Sequence, residues 1–221
     1  MSSSGIVLVG GGGHCKAVID LVLAEGRSRI HGIVDLAHLV GEQVMGVEVI
    51  GTDDDLKSLV QQRFVFLITA GRIGRSDLRE RLFAQVQLAG GHFVTCISPS
   101  AYLAVGTTVG PGTTVGHSAI INTGAHVGAN CIINTNSLIE HDAVIGDHVH
   151  VSTGAIVNGG CRIGRGSFIG SGAIVVQGVQ LGNDVVIGAG SLVLRDVPEG
   201  STMVGSPAKP LRRWSRTTKG Y

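Results

Sequence analysis

What the chain has little of narrows it first. Its formal net charge over 221 residues is only +1, so it projects no field for nucleic acid or an anionic membrane. No apolar run approaches the roughly 18 residues of a membrane span. Residues 1–26 lack the basic start and unbroken apolar centre of a signal peptide, because Gly10 to Gly13 and Lys16 interrupt them. A cytoplasmic enzyme is the expectation. The four cysteines lack the paired spacing of a zinc site or a disulfide framework, so neither is expected.

What is present is a repeat. From Ile97 to Pro198 the chain divides into seventeen six-residue units without insertion, and every unit begins with Ile, Val or Leu. Four places later stands a small or β-branched residue in every unit, from Ala101 and Thr107 through to Val197. A hexapeptide period is the signature of a parallel β-helix, with one short side per unit and three units per coil. The aliphatic column stacks inward, and Cys131 and Cys161 fall in the inward small-residue column as compact hydrophobes. Gly and Asn frequent the second position, as at Gly110, Gly116, Asn122 and Gly128, which reads as a sharp corner that demands positive φ.

Ahead of the repeat the period changes. Gly5 to Val9 reads as a strand, Gly10 to Gly13 as a loop, and His14 to Leu23 as a helix that ends at Gly26. Gly32 to Asp35 and Phe64 to Ala70 read as further strands, and Ser76 to Ala89 as a helix. Residues 1–95 therefore form a small α/β domain with a parallel, Rossmann-like sheet. Residues 96–198 form the β-helix and residues 199–221 a polar tail. An open solenoid end exposes core, so the first domain is expected to cover one end.

Two regions carry chemistry. The glycine loop presents bare N–H groups at a helix N-terminus, a phosphate site in waiting, with Gly11, Gly12, Gly13, His14 and Lys16 as the candidate contacts. Asp35, at the end of the next strand, is placed to accept from ribose hydroxyls. Cys15 stands where the third glycine of a dinucleotide fingerprint belongs, which argues against NAD chemistry. The second region is Ile139-Glu140-His141-Asp142. His141 is a third-position residue and so lies outside the coil; eighteen residues on, one coil away, stands Gly159. An imidazole beside a carboxylate and above a glycine N–H supplies a general base with an oxyanion donor.

These hexads, the pair His141-Asp142, the run Ile133-Asn134-Thr135-Asn136 and the closing Val204-Gly205-Ser206-Pro207-Ala208-Lys209 together resemble hexapeptide-repeat acetyltransferases. The N-terminal Gly-Gly-Gly-His-Cys-Lys narrows the resemblance to the sialic acid O-acetyltransferase and bacillosamine N-acetyltransferase type, which modify sugars. The resemblance implies a left-handed β-helix, against the usual crossover preference, and a homotrimer with active sites between subunits. It implies acetyl-CoA as cosubstrate, no metal, and a nucleotide-linked amino sugar as acceptor. It carries over His141 as base, Asp142 as its orienting carboxylate, Gly159 as oxyanion donor, and Asn134 and His150 as active-site polar groups. Ser171 and Ala189 carry over as coenzyme contacts. Lys209, Arg212 and Arg213 are candidates for the coenzyme phosphates, and Trp214 for the adenine. A sugar O-acetyltransferase and a non-catalytic nucleotide-sugar-binding protein are the alternatives. A γ-type carbonic anhydrase, which shares the helix, needs two histidines five positions apart, and the sequence has no such pair.

Overall fold

The computed structural model describes residues 5–71, 74 and 77–211. The first sheet is built from β1 (Ile6–Val9), β2 (Ile30–Val34), β3 (Gln43–Val44), β4 (Val47–Gly51), β5 (Val65–Ile68) and β6 (His92–Phe93), in the order β3-β4-β2-β1-β5-β6. The pairing is parallel except between β3 and β4. Helices α1 (Gly13–Glu25), α2 (Leu56–Gln61) and α3 (Leu78–Leu88) accompany it. All four residues of β1 are fully buried, as a central strand covered on both faces requires. Gly26 ends α1 in a left-handed conformation, φ 67°, where glycine carries no Cβ penalty. The short strands Gln43–Val44, Val47–Gly51 and His92–Phe93 and helix α2 carry too little periodicity to be read from sequence.

The repeats coil as their period requires. Seventeen two-residue strands, Cys96–Ile97 to Leu192–Val193, fall six residues apart and pair in parallel with the strand eighteen residues away. They make three faces. The first begins with Cys96–Ile97 and continues through Thr114–Val115, Ile132–Ile133, His150–Val151 and Phe168–Ile169; the second begins with Tyr102–Leu103, the third with Thr108–Val109. One apolar cluster runs up the axis from Val115 to Val197. Cys131 and Cys161 lie within it, each S–H donating to a carbonyl fifteen residues on in the next coil, and burial pushes the Cys131 thiol up to about 12. Such thiols are inert.

Three expectations need correction. The sharp corner sits two places later than the glycine pattern implied: every fourth position from Gly106 to Gly190 has positive φ, including Ser118, Asn130, Asn136, Asp142, His148 and Asp184. Second-position glycines answer to packing instead, since a Cβ on Gly110 would lie 2.6 Å from the backbone of Gly128, and one on Gly164 would lie 2.4 Å from Gly182. The polar stretch after Glu199 adds two strands to the first face, Thr202–Val204 parallel to Val186–Ile187 and Lys209–Pro210 antiparallel to it. Finally, the α/β domain packs along the flank of the β-helix and leaves the end partly open, with the inward Ile97, Leu103 and Val109 of the first coil only partly buried.

That flank is tied down by polar groups from both sides. Arg79 of α3 is buried and donates to Ile68 O and Ala70 O of its own domain and to Asn130 O and Gly112 O of the β-helix. Glu80 pairs with Arg165 at 2.7 Å, and Asp20 of α1 with His117 at 2.9 Å. The arrangement fixes the glycine loop against the first face.

Candidate active site

The corner between the second and third faces carries His141. Its Nδ1 lies 2.9 Å from Asp142 Oδ2, and Nε2 has no partner among the described residues. A carboxylate only accepts, so Nδ1 bears the hydrogen and the Nε2 lone pair points outward. The hydrogen bond to Asp142 is the largest effect and holds the His141 imidazole above its ordinary range; desolvation, next in size, opposes it, and the charges of Asp142 and then Glu140 add to the rise. The ring lies over Gly159, where a Cβ would stand 2.6 Å from Nε2. His141, Asp142 and Gly159 thus meet as their column in the repeat requires.

A second group gathers where the glycine loop faces the β-helix. A cavity of about 740 Å³ is lined by Gly13, His14, Asn134, His150, Ser171 and Ala189, joined by Gly71, Ser152, Phe168 and Gly170. Asn134 Nδ2 lies 3.4 Å from His150 Nε2, and the His150 ring meets Phe168 edge-on at 5.2 Å. His14 Nε2 is buried and has no hydrogen-bond partner among the described residues. Burial, with Arg79 and His150 nearby, lowers its pKa to about 3, so this imidazole is neutral at working pH. The sequence reading missed Gly71, Ser152, Phe168 and Gly170. The register held a signal for three of them: Phe168 follows His150 by one coil on the same face, and Ser152 and Gly170 follow Asn134 by one and two coils.

The structure does not bring the two groups together within one chain. His141, Asp142 and Gly159 occupy the corner between the second and third faces, whereas Ser171 and Ala189 occupy the corner between the first and second. Neither His141 nor Gly159 lines the cavity. Ser171 and Ala189, read as coenzyme contacts, share that cavity with Asn134, His150 and His14, read as acceptor contacts. Lys209 lies apart, on a 460 Å³ hollow at the C-terminal end lined also by Val193, Arg195 and Met203. Arg212, Arg213 and Trp214 lie outside the described residues.

The glycine loop has a division within it. Asp35 accepts from the Gly11 N–H and, through Oδ1, from the Leu36 N–H at 2.7 Å, so its carboxylate braces the loop from inside. A Cβ on Gly11 would lie 2.8 Å from Asp35 Oδ2, while at Gly12 and Gly13 it would meet nothing within 4 Å. Gly12 caps α1 without a side-chain bond, and of the first-turn N–H groups that of Cys15 donates back to Gly12 O at 3.0 Å. Lys16 is exposed on α1. Among the described residues, no group of three or more His, Cys, Asp or Glu is placed to hold a metal ion, and no helix is long and apolar enough to cross a membrane.

Comparison with known proteins agrees with this layout. Residues 5–86 match the PglD N-terminal domain, residues 106–140 the hexapeptide repeat of succinyl-transferase, and residues 142–177 and 160–195 the bacterial transferase hexapeptide. The crystal structure of PerB from Caulobacter crescentus in complex with CoA and GDP-perosamine is similar at 34% identity, covering 96% of this chain and 99% of that one, with a TM-score of 0.87. The acetyltransferase domain of PglB from Neisseria gonorrhoeae is similar at 33% identity over 93% of this chain and 98% of that one, TM-score 0.85. WeeI from Acinetobacter baumannii is similar at 27% over 93% and 99%, TM-score 0.82. An uncharacterized protein, L142, of Acanthamoeba polyphaga mimivirus is 30% identical over 111 residues; the match spans 50% of this chain and 21% of that protein. By its identity with PerB over nearly the whole length of both chains, and by its left-handed β-helix behind a PglD-type domain, the chain belongs to the family of hexapeptide-repeat sugar acetyltransferases.

Proposed function

We propose that the protein is an acetyl-CoA-dependent N-acetyltransferase acting on the 4-amino group of a GDP-perosamine-like nucleotide-linked sugar, in the building of surface polysaccharide or glycan. The observation that carries this reading is the His141 ring, anchored through Nδ1 to Asp142 at 2.9 Å with Nε2 free above Gly159. His141 Nε2 accepts a proton from the sugar amine as the amine nitrogen bonds to the thioester carbon. The carbonyl oxygen gains negative charge, and the Gly159 N–H, which has no partner among the described residues, stabilises it. The C–S bond breaks, and His141 returns the proton to the departing thiolate. Asp142 holds the productive tautomer throughout. No covalent acyl-enzyme is required, and the buried cysteines are badly placed for one.

The acceptor's nucleotide fits the loop at Gly12 and Gly13, with His14, Asn134 and His150 at the cavity floor. His14 contributes a neutral polar atom there. The acetyl donor fits the first-to-second corner at Ser171 and Ala189. A homotrimer supplies what one chain lacks, by setting His141 of one subunit against the cavity of the next. The second face supports this: its outward row is Tyr102, Ile120, Leu138, Ile156, Ile174 and Leu192, apolar throughout, with Tyr102 59% exposed. The outward row of the third face, by contrast, contains Thr108, His126, Arg162 and Gln180. A continuous apolar row is a surface that association covers.

The test is release of free thiol from acetyl-CoA in the presence of GDP-perosamine and other nucleotide-linked amino sugars. Turnover with an amino sugar and none with its hydroxyl counterpart supports the reading. Turnover only with hydroxyl sugars makes the enzyme an O-acetyltransferase, and ligand binding without thiol release makes it a binding protein.

A further inference from the structure

The His141–Asp142 pair is shaped by the coil before it. Asp142 donates its backbone N–H to Thr123 O at 3.1 Å and turns through a left-handed conformation, φ 59°. Its carboxylate lies over Gly124: a Cβ built there would stand 2.7 Å from Asp142 Oδ1, while Oδ2 stays 2.9 Å from His141 Nδ1. Backbone conformation alone does not demand glycine at 124, where φ is 72°, because Ser118, Asn130 and Asn136 hold equivalent left-handed corners. What sets Gly124 apart is a carboxylate above it that is bonded to an imidazole; Gly166 also lies beneath a carboxylate, that of Asp184, but there the preceding residue is Asn183. At Gly154, Gly160, Gly172 and Gly178 a Cβ would meet nothing within 4 Å.

The neighbouring carboxylate is already committed. Glu140 Oε2 accepts from Asn122 Nδ2 at 2.9 Å and from the His141 N–H at 3.2 Å, which leaves Asp142 as the carboxylate bonded to the ring. The Asp142 side chain is 73% exposed, so little packing selects its rotamer. Water and side-chain entropy leave an exposed ion pair weak, and a small steric change is therefore enough to turn the carboxylate away.

We propose that Gly124 is a positioning residue, whose missing side chain leaves the space in which the Asp142 carboxylate turns toward His141. This rests on His141 being the base. The experiment follows the His141 imidazole by NMR titration of the unliganded protein, its signal assigned by comparison with His141→Asn, alongside kcat with acetyl-CoA and GDP-perosamine. In Gly124→Asn, where Asn tolerates the corner, the His141 pKa should fall toward that of Asp142→Asn, and kcat should drop at least threefold. Gly124→Ser should move both the same way by less, and Gly178→Asn, on the same column, should move neither. In the Asp142→Asn background Gly124→Asn should add nothing, since both remove one interaction. An unchanged His141 pKa in folded Gly124→Asn and Gly124→Ser overturns the positioning role. Near wild-type kcat in His141→Asn overturns instead the reading of the base, and the proposed catalytic consequence with it.

Discussion

The imidazole of His141 rests on the bare α-carbon of Gly159, so closely that a Cβ there would stand 2.6 Å from Nε2 and 2.8 Å from Cε1. Glycine at 159 is therefore set by the ring. Its φ is not in the left-handed region, so alanine is compatible with the backbone.

Gly159→Ala should fold normally, because the displaced group is the far end of an exposed side chain. The methyl group pushes the ring off its bond to Asp142 and crowds the oxyanion position, so kcat should fall at least tenfold, within the roughly 10²–10³ that one oxyanion donor contributes. Steady-state kinetics beside a melting curve check this; an unchanged kcat means that the ring has no fixed working position.

A site shared between subunits predicts complementation. Chains carrying His141→Asn and chains carrying Gly12→Val should each be impaired as homotrimers. Co-expressed and purified through two tags, mixed trimers contain interfaces that carry neither change. Their activity should exceed that of either parent. Activity no higher than the parents' would confine the site to a single chain.

The glycine loop offers a separable test of acceptor binding. Gly11 is a poor target, since a side chain there meets Asp35, Ile33 and Val44 and disturbs the loop itself. Gly12 faces open space at φ −70°, and valine is accommodated without strain in the fold. Gly12→Val should raise KM for the sugar nucleotide at least tenfold and leave KM for acetyl-CoA within about twofold. A rise confined to acetyl-CoA would reverse the assignment of the loop.

His14 makes the fold acid-sensitive. Its pKa is about 6.5 unfolded and about 3 folded, so below pH 6.5 the unfolded chain takes up a proton that the folded one refuses. The stability is complete above pH 6.5 and declines as pH falls toward 3, by up to about 1.4 kcal/mol per pH unit. Denaturant titrations across that window should show a shallower decline in His14→Gln. An identical decline would mean that His14 titrates normally.

The hexad register made the β-helix legible, because one aliphatic residue every six is a demand of the core that sequence alone carries. The same register put His141 over Gly159. It failed at the corners, where glycine meets two different needs: positive φ at the fourth position, as at Gly124, and close coil-to-coil approach at the second, as at Gly110. Asp35 also braces Gly11, a bond between residues 24 apart that composition does not reveal. The cavity joining His14 to Asn134 and His150 depends on how α3 docks through Arg79, and a buried arginine looks like any other in a sequence.

The most direct measurement is the pH dependence of kcat/KM for acetyl transfer in wild type, Asp142→Asn and His141→Asn. A base works deprotonated, so the wild-type rate should rise with pH through a limb that lies above the ordinary imidazole range, as the bond to Asp142 requires. Asp142→Asn should move that limb to lower pH and reduce the plateau. His141→Asn should abolish it and cost about 10²–10⁴ in rate. An intact acid limb and near wild-type kcat in a folded His141→Asn enzyme would contradict the account.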